Sequence, residues 1–296
     1  MDEQARKLRE LIAEKRPPAS LTARTVAITS GKGGVGKTQV ATNLAIALAK
    51  FGKKVIVIDV DLGLANIDVL LGLKPAYTLE HVLKGEKQVK DVVVHDVYGV
   101  DVIPASSGVE SMANLTDYQK ERLLSGFGSL ESDYDIVLVD TAAGLSANVL
   151  TFVLAANEIL VVTTPEPTAF TDAYAMIKTV TRYRRNAPLH LVVNMARSDE
   201  EAIGTVKNVR LVAKQFLNID VRDFGSIPYD EIVPRASRRR EPFVLAPVGD
   251  PAADAVRSLA ARVSNNNAGN PDERGIGGFV QRAVMLSEHS ARLGMK

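Results

Sequence analysis

Gly31-Lys32-Gly33-Gly34-Val35-Gly36-Lys37-Thr38 decides the fold. An apolar run, Thr25-Val26-Ala27-Ile28-Thr29, precedes it, and a helical pattern follows. That order of strand, glycine loop and helix is what a phosphate-binding loop requires. Glycines let successive backbone N–H groups converge on phosphate oxygens, and the helix N-terminus adds partial positive charge. Lys37 brings a full charge to the β- and γ-phosphates, and the Thr38 hydroxyl can ligate Mg²⁺.

Outward from the loop, apolar β-branched runs alternate with helical patterns. Strands are expected at Thr25–Thr29, Lys54–Ile58, Val100–Ile103, Ile136–Val139, Glu158–Thr163, Leu189–Val193 and Val221–Ser226. Helices are expected at Lys37–Phe51, Thr116–Glu131, Ala147–Ala156, Ala169–Arg185, Asp199–Phe216 and Ala252–Val263. Short continuous apolar runs separated by helices predict an α/β fold, a mostly parallel twisted sheet with helices on both faces. Ligands of such sheets sit at the carboxyl ends of strands, where each motif begins.

The chain has 296 residues, enough for one large α/β domain. Its formal net charge is +1, which gives no bulk electrostatic case for binding polyanions. The absence of cysteine excludes a disulfide framework, an iron–sulfur cluster and a cysteine-bound zinc. The charged N-terminus lacks the apolar core of a secretory signal, and no run approaches about 18 apolar residues. The expected compartment is the cytoplasm. Three regions are expected: an N-terminal peptide over 1–20, an ATPase domain over 24–265, and a linker with a C-terminal helix over 266–296.

Two other strand ends carry carboxylates. In Val57-Ile58-Asp59-Val60-Asp61 the two aspartates lie two residues apart and point the same way. Asp59 can hold a water on Mg²⁺, and Asp61 can orient an attacking water. Asp140 follows four apolar residues and opens Asp140-Thr141-Ala142-Ala143-Gly144, a Walker B carboxylate aimed at the metal. Each aspartate also has a structural use as a helix N-cap. Lys32 fills a position that an ordinary phosphate loop leaves variable.

Together these pieces resemble the deviant-Walker ATPases of the MinD/ParA group, from about Arg24 to Val263. The resemblance implies a Mg²⁺-dependent ATP hydrolase that forms a face-to-face homodimer when loaded with ATP. Lys32 would cross to the phosphates of the neighbouring subunit, where a cation in trans stabilises transition-state charge. Lys32, Lys37 and Asp61 are then the catalytic set, and loss of Asp61 leaves ATP bound and the dimer trapped. The resemblance also implies that Glu166 lies by the dimer-face nucleotide and that Asp172 pairs with the signature lysine when ATP is absent. Asn194 would meet the adenine edge, with Pro228, Tyr229 and Asp230 walling the base. A proline-containing turn is by itself a complete structural account of Pro228.

Absences narrow the branch. Asn194-Met195-Ala196-Arg197 is not a guanine-reading Asn-Lys-x-Asp, and the tail has no tyrosine cluster of the kind found in related kinases. The first switch reads Asp61-Leu62-Gly63-Leu64-Ala65-Asn66-Ile67-Asp68, unlike the Asp-Pro-Gln-Gly-Asn of DNA-segregating ParA proteins. Within the MinD branch the chain is most similar to the FlhG/FleN family, regulators of flagellar number and placement. Asp61 to Gly72, Pro104 to Gly108, Asp140 to Gly144 and Pro165 to Ala175 carry that likeness, as does Ala143, where division-site MinD usually has Pro. So does Glu3-Gln4-Ala5-Arg6-Lys7-Leu8-Arg9, similar to the family's activator peptide. The resemblance implies that this peptide, with Gln4, Arg6, Leu8 and Arg9 as contacts, stimulates the GTPase FlhF. It also implies flagellar C-ring proteins and a flagellar transcription activator as partners. A division-site MinD and a ParA-type DNA or cargo positioner stay open as alternatives. The run Arg235 to Arg240 reads chiefly as a solvated helix face, so DNA is not an expected partner.

Near the C-terminus, Ile276, Phe279, Val280, Ala283 and Val284 form one apolar helical stripe flanked by Arg274, Arg282 and Arg292. Such a helix suits reversible membrane contact, and a dimer presents two of them. ATP-bound protein is therefore expected at the inner face of the cell membrane. The stripe can also pack on its own core or on a protein partner.

Overall fold

Val26 and Ile28 point to one side of the strand β1 (Arg24–Thr29) and Ala27 to the other, and both sides are buried. The same alternation holds in β2 (Val55–Asp59), where Ile56 and Ile58 enter one apolar layer and Val55 and Val57 the other. Strands buried on both faces need no polar side, which is why their sequences are continuously apolar. A computed structural model describes residues 23–61, 66–105, 116–130, 132–265, 278, 279 and 282. The remaining strands are β3 (Val94–Val97), β4 (Val100–Ile103), β5 (Ile136–Asp140), β6 (Glu158–Thr163), β7 (Leu189–Ala196) and β8 (Arg222–Pro228). They form a sheet in the order β3-β4-β2-β5-β1-β6-β7-β8. Every adjacent pair is parallel except β3 and β4.

One face is covered by α1 (Lys37–Lys50), α2 (Ile67–Leu71) and the last long helix, α9 (Pro251–Asn265). The other is covered by α3 (Leu79–Lys84), α4 (Asp117–Gly128), α5 (Ala147–Ala155), α6 (Pro167–Tyr183) and α7 (Asp199–Leu217). A further short helix, α8 (Ile232–Arg239), buries no residue completely. All seven expected strands and all six expected helices are present, with ends shifted by up to three residues. Periodicity did not reveal β3, α2, α3 or α8. Val94-His95-Asp96-Val97 is too short and polar to read as a strand, and it exists because Tyr98 and Gly99, both at positive φ, turn a tight hairpin into β4.

Opposite the loop end of the sheet lies a buried ionic cluster. Arg24 Nε stands 2.6 Å from Glu158 Oε1, and His190 Nε2 stands 3.1 Å from Glu158 Oε2. Arg24 Nη1 also donates to the Val263 carbonyl of α9 at 2.7 Å. Glu158 therefore holds β1, β6 and β7 together and, through Arg24, the end of α9. Truncating it strands a cation in the interior, so Glu158→Ala is expected to cost about 3–5 kcal/mol in urea unfolding. A paired Arg24→Met/Glu158→Leu exchange should recover most of that loss, and an unchanged midpoint in Glu158→Ala would contradict the assignment.

Candidate active site

The carboxyl ends of β1, β2, β5, β6 and β7 converge on one edge of the sheet. Register sets the alignment: Asp140 of β5 lies level with Ile28 of β1 on one side and with Asp59 of β2 on the other. The loop leaving β1 is fixed by its surroundings. Ser30 Oγ donates to the Lys32 carbonyl at 2.9 Å, and Gly144 N donates to the Ser30 carbonyl at 2.9 Å. Gly36, at φ 79, begins α1, and a Cβ there would stand 2.4 Å from Asn194 Nδ2. A Cβ on Gly31 would stand 2.1 Å from the Asp172 carbonyl oxygen. Both positions therefore need glycine because other backbone or amide groups occupy the side-chain space.

The two lysines of the loop face different surroundings. Lys37 is 7 % exposed, and its Nζ lies 2.7 Å from Asp140 Oδ1. The Lys32 side chain is 37 % exposed; its Nζ lies 2.7 Å from Glu166 Oε2 and donates to Thr168 Oγ1 at 2.9 Å. Both partners belong to the start of α6. Asp172, expected from the resemblance to hold the signature lysine without ATP, instead touches the loop with its backbone at Gly31. Glu166 takes the ionic role from the N-cap position of α6, where its carboxylate lies 2.7 Å from Lys32 Nζ.

Asp59 and Asp140 are 1 % and 0 % exposed. Asp59 accepts from Asp61 N at 2.9 Å and from Asn66 N at 3.2 Å, so it ties down the backbone leading into α2. Its carboxyl is pushed up to about 7 by burial and by the neighbouring Asp140. Burial pushes Asp140 up as well, against the pull of Lys37 and a hydrogen bond from Thr38. Asp140 Oδ2 is buried with no hydrogen-bond partner. Thr38 hydroxyl, Asp59 and Asp140 are hard oxygen donors of the type Mg²⁺ takes, directly or through water. A divalent cation at this place would favour both carboxylates in their charged forms and occupy the idle Asp140 oxygen.

Beside the loop, a cavity of about 290 Å³ is lined by Gln39, Asn194, Pro228, Tyr229, Asp230 and Val233 among others. The four expected base-binding residues at this end of β7 and β8 are thus brought together. Asn194 Nδ2 donates to the Val35 carbonyl at 2.8 Å, fastening the cavity to the phosphate loop. Tyr229 N donates to Ala196 O, its hydroxyl donates to Glu231, and Asp230 Oδ1 accepts from Ile232 N. Sequence reasoning missed Met195, which lines the cavity at φ 59, and Gln39, Ser237 and Phe243 on its other walls. A left-handed residue in a strand leaves no compositional trace; Gln39 was findable as the residue after Thr38.

The remaining expectations fall elsewhere. Gln4, Arg6, Leu8 and Arg9 lie outside the described residues, as do Ile276, Val280, Ala283, Val284 and residues 62–65. Phe279 is 2 % exposed and packs in the layer with α4 to α7, and Arg282 donates to the Ala155 carbonyl at the end of α5. Here Phe279 belongs to the core instead of facing a membrane. Arg235, Arg238, Arg239 and Arg240 are exposed, as a solvated face requires. Among the described residues no helix is long and apolar enough to cross a membrane.

A family model described as an AAA domain matches residues 23–193. The antiactivator FleN of Pseudomonas aeruginosa is 40 % identical over 242 residues, covering 82 % of this chain and 86 % of FleN. The flagellum site-determining protein YlxH of Helicobacter pylori is 35 % identical over 247 residues, covering 81 % and 83 %. Among solved structures, the septum site-determining protein MinD complexed with Mg-ADP from Pyrococcus horikoshii matches with a TM-score of 0.69 and 28 % identity, over 82 % of this chain and 96 % of that one. The chain belongs to the MinD/ParA family of deviant-Walker ATPases, in its FleN/FlhG branch.

Proposed function

We propose that this ATPase pairs with a second copy of itself when ATP-loaded, and that the paired form controls the number and placement of flagella. The observation that carries the reading is the contrast between the two loop lysines. Lys37 turns inward and serves its own phosphate cradle. Lys32 stays at the rim on Glu166 and Thr168, presented to an approaching subunit. Donated in trans, its charge would stabilise the phosphoryl oxygens of the neighbour as negative charge develops. Pairing and hydrolysis become one coupled event.

Mg²⁺, held by Thr38 with Asp59 and Asp140 through water, would neutralise charge on the phosphate oxygens. Asp61, two residues beyond Asp59, orients the water. The base is adenine. Asn194 spends its Nδ2 on the Val35 carbonyl, so Oδ1 is the amide atom left to read a base. An acceptor favours a purine carrying a 6-amino group over one carrying a 6-oxo group.

The flagellar role rests on the likeness to FleN and YlxH and on the activator-like peptide near the N-terminus. By that likeness the partners are FlhF, C-ring proteins and a flagellar transcription activator. Membrane contact through the stripe from Ile276 to Val284 requires Phe279 to leave the core.

Three outcomes are expected. Light scattering should find wild type monomeric with ADP and dimeric with ATP, while Lys32→Ala stays monomeric in both; a solitary ATP-saturated wild type would overturn the pairing. Asp61→Ala should lower phosphate release at least about 100-fold yet retain the ATP-dependent dimer. Deleting residues 1–16 should abolish stimulation of FlhF GTP hydrolysis with the chain's own ATPase intact; undiminished stimulation would remove the peptide from the account.

A further inference from the structure

α8 forms one wall of the base cavity through Val233, Pro234 and Ser237. It is thinly attached: none of its residues is fully buried, and Ile232, Val233 and Ala236 pack only partly against the core. Its C-cap is Arg240, a non-glycine residue at φ 58. Among the described residues, one line of hydrogen bonds ties it to the phosphate-loop helix. Val244 N donates to Asn43 Oδ1 at 2.9 Å, and Asn43 Nδ2 donates to Gln39 Oε1 at 3.2 Å. Gln39 Nε2 then donates to Ser237 Oγ at 2.6 Å, and Ser237 Oγ donates to the Val233 carbonyl at 2.9 Å.

The direction of this line is set from its buried end. Asn43 is 0 % exposed, and the Val244 N–H fixes which way its amide faces. That orientation dictates the orientation of Gln39, which can then offer only its Nε2 to Ser237. Gln39 sits one residue beyond Thr38, so the line starts beside the phosphate cradle and ends on the cavity wall.

We propose that Gln39 and Ser237 form a latch that holds α8 closed as the wall of the base pocket. Both are positioning residues, and the proposal rests on the nucleotide-site reading above. The latch governs how firmly the base half of a nucleotide is held and leaves the phosphate half untouched. A broken latch frees a helix that has little else to hold it, so the pocket must be reassembled each time a base enters.

The test is calorimetric titration of the full chain with MgADP and, separately, with magnesium pyrophosphate, which has no base. Ser237→Ala and Gln39→Leu should each weaken MgADP about 5–10-fold and leave pyrophosphate within about two-fold of wild type. The double variant should be no weaker than the worse single by more than about two-fold, because both changes break one bond. Ser237→Thr keeps the hydroxyl and should restore MgADP affinity. Unchanged MgADP binding in Ser237→Ala overturns the latch. So does a parallel loss of MgADP and pyrophosphate, which would mean general damage to the phosphate loop, and so do additive losses in the double variant. Wild-type protein that binds neither ligand overturns the nucleotide-site reading itself, a result distinct from all of these.

Discussion

Two carboxylates and one ammonium are buried together where β1, β2 and β5 end, and the rest of the site is arranged around that group. Lys37 and Asp140 lie 2.7 Å apart, with Asp59 level with Asp140 on the neighbouring strand. Charges this deep are costly unless they are paired, and here there are two acids to one base. Burial first and the neighbouring Asp140 second push the Asp59 carboxyl up to about 7, and one Asp140 oxygen is left without a hydrogen-bond partner. A triphosphate alone would draw Lys37 away and leave both acids exposed to each other. A divalent cation supplied with the phosphates restores the balance. The site is therefore built for a metal–nucleotide pair.

The fold earns its relevance by alignment. Parallel register brings Ile28, Asp59 and Asp140 to one level, so residues far apart in sequence meet without any long loop. Close contacts then lock the loop. Asp172 backbone presses on Gly31, and the Asn194 amide presses on Gly36 and holds the Val35 carbonyl. Through that bond Asn194 ties the β7 side of the neighbouring cavity to the phosphate loop.

Much of this was legible because its causes are local. The glycine loop, the apolar strands and the carboxylates at strand ends each declare themselves within a few residues. What was not legible depends on contacts across the sheet. β3 pairs only as the hairpin partner of β4, and α8 packs partly against the core and meets α1 where Gln39 bonds Ser237. Lys32 reaches Glu166 where the family resemblance pointed to Asp172, because Glu166 and Thr168 lie within reach of its Nζ while the Asp172 backbone lies against Gly31. The apolar stripe near the C-terminus was read with two uses, and Phe279 takes the internal one here because the layer of α4 to α7 offers it an apolar site.

In the proposed pairing, one subunit's catalytic site is completed by the other's Lys32. The direct measurement is phosphate release from an equimolar mixture of Lys32→Ala and Asp61→Ala chains, combined before ATP is added. Each variant alone is inactive. In a mixed pair, the Lys32→Ala chain keeps Lys37 and Asp61 and receives Lys32 from its neighbour, so one complete site forms. Phosphate release in the mixture should rise well above that of either variant alone, to at most about half the wild-type rate, because even complete mixed pairing leaves one working site per pair. A mixture as silent as its components, with both chains binding ATP, would contradict it.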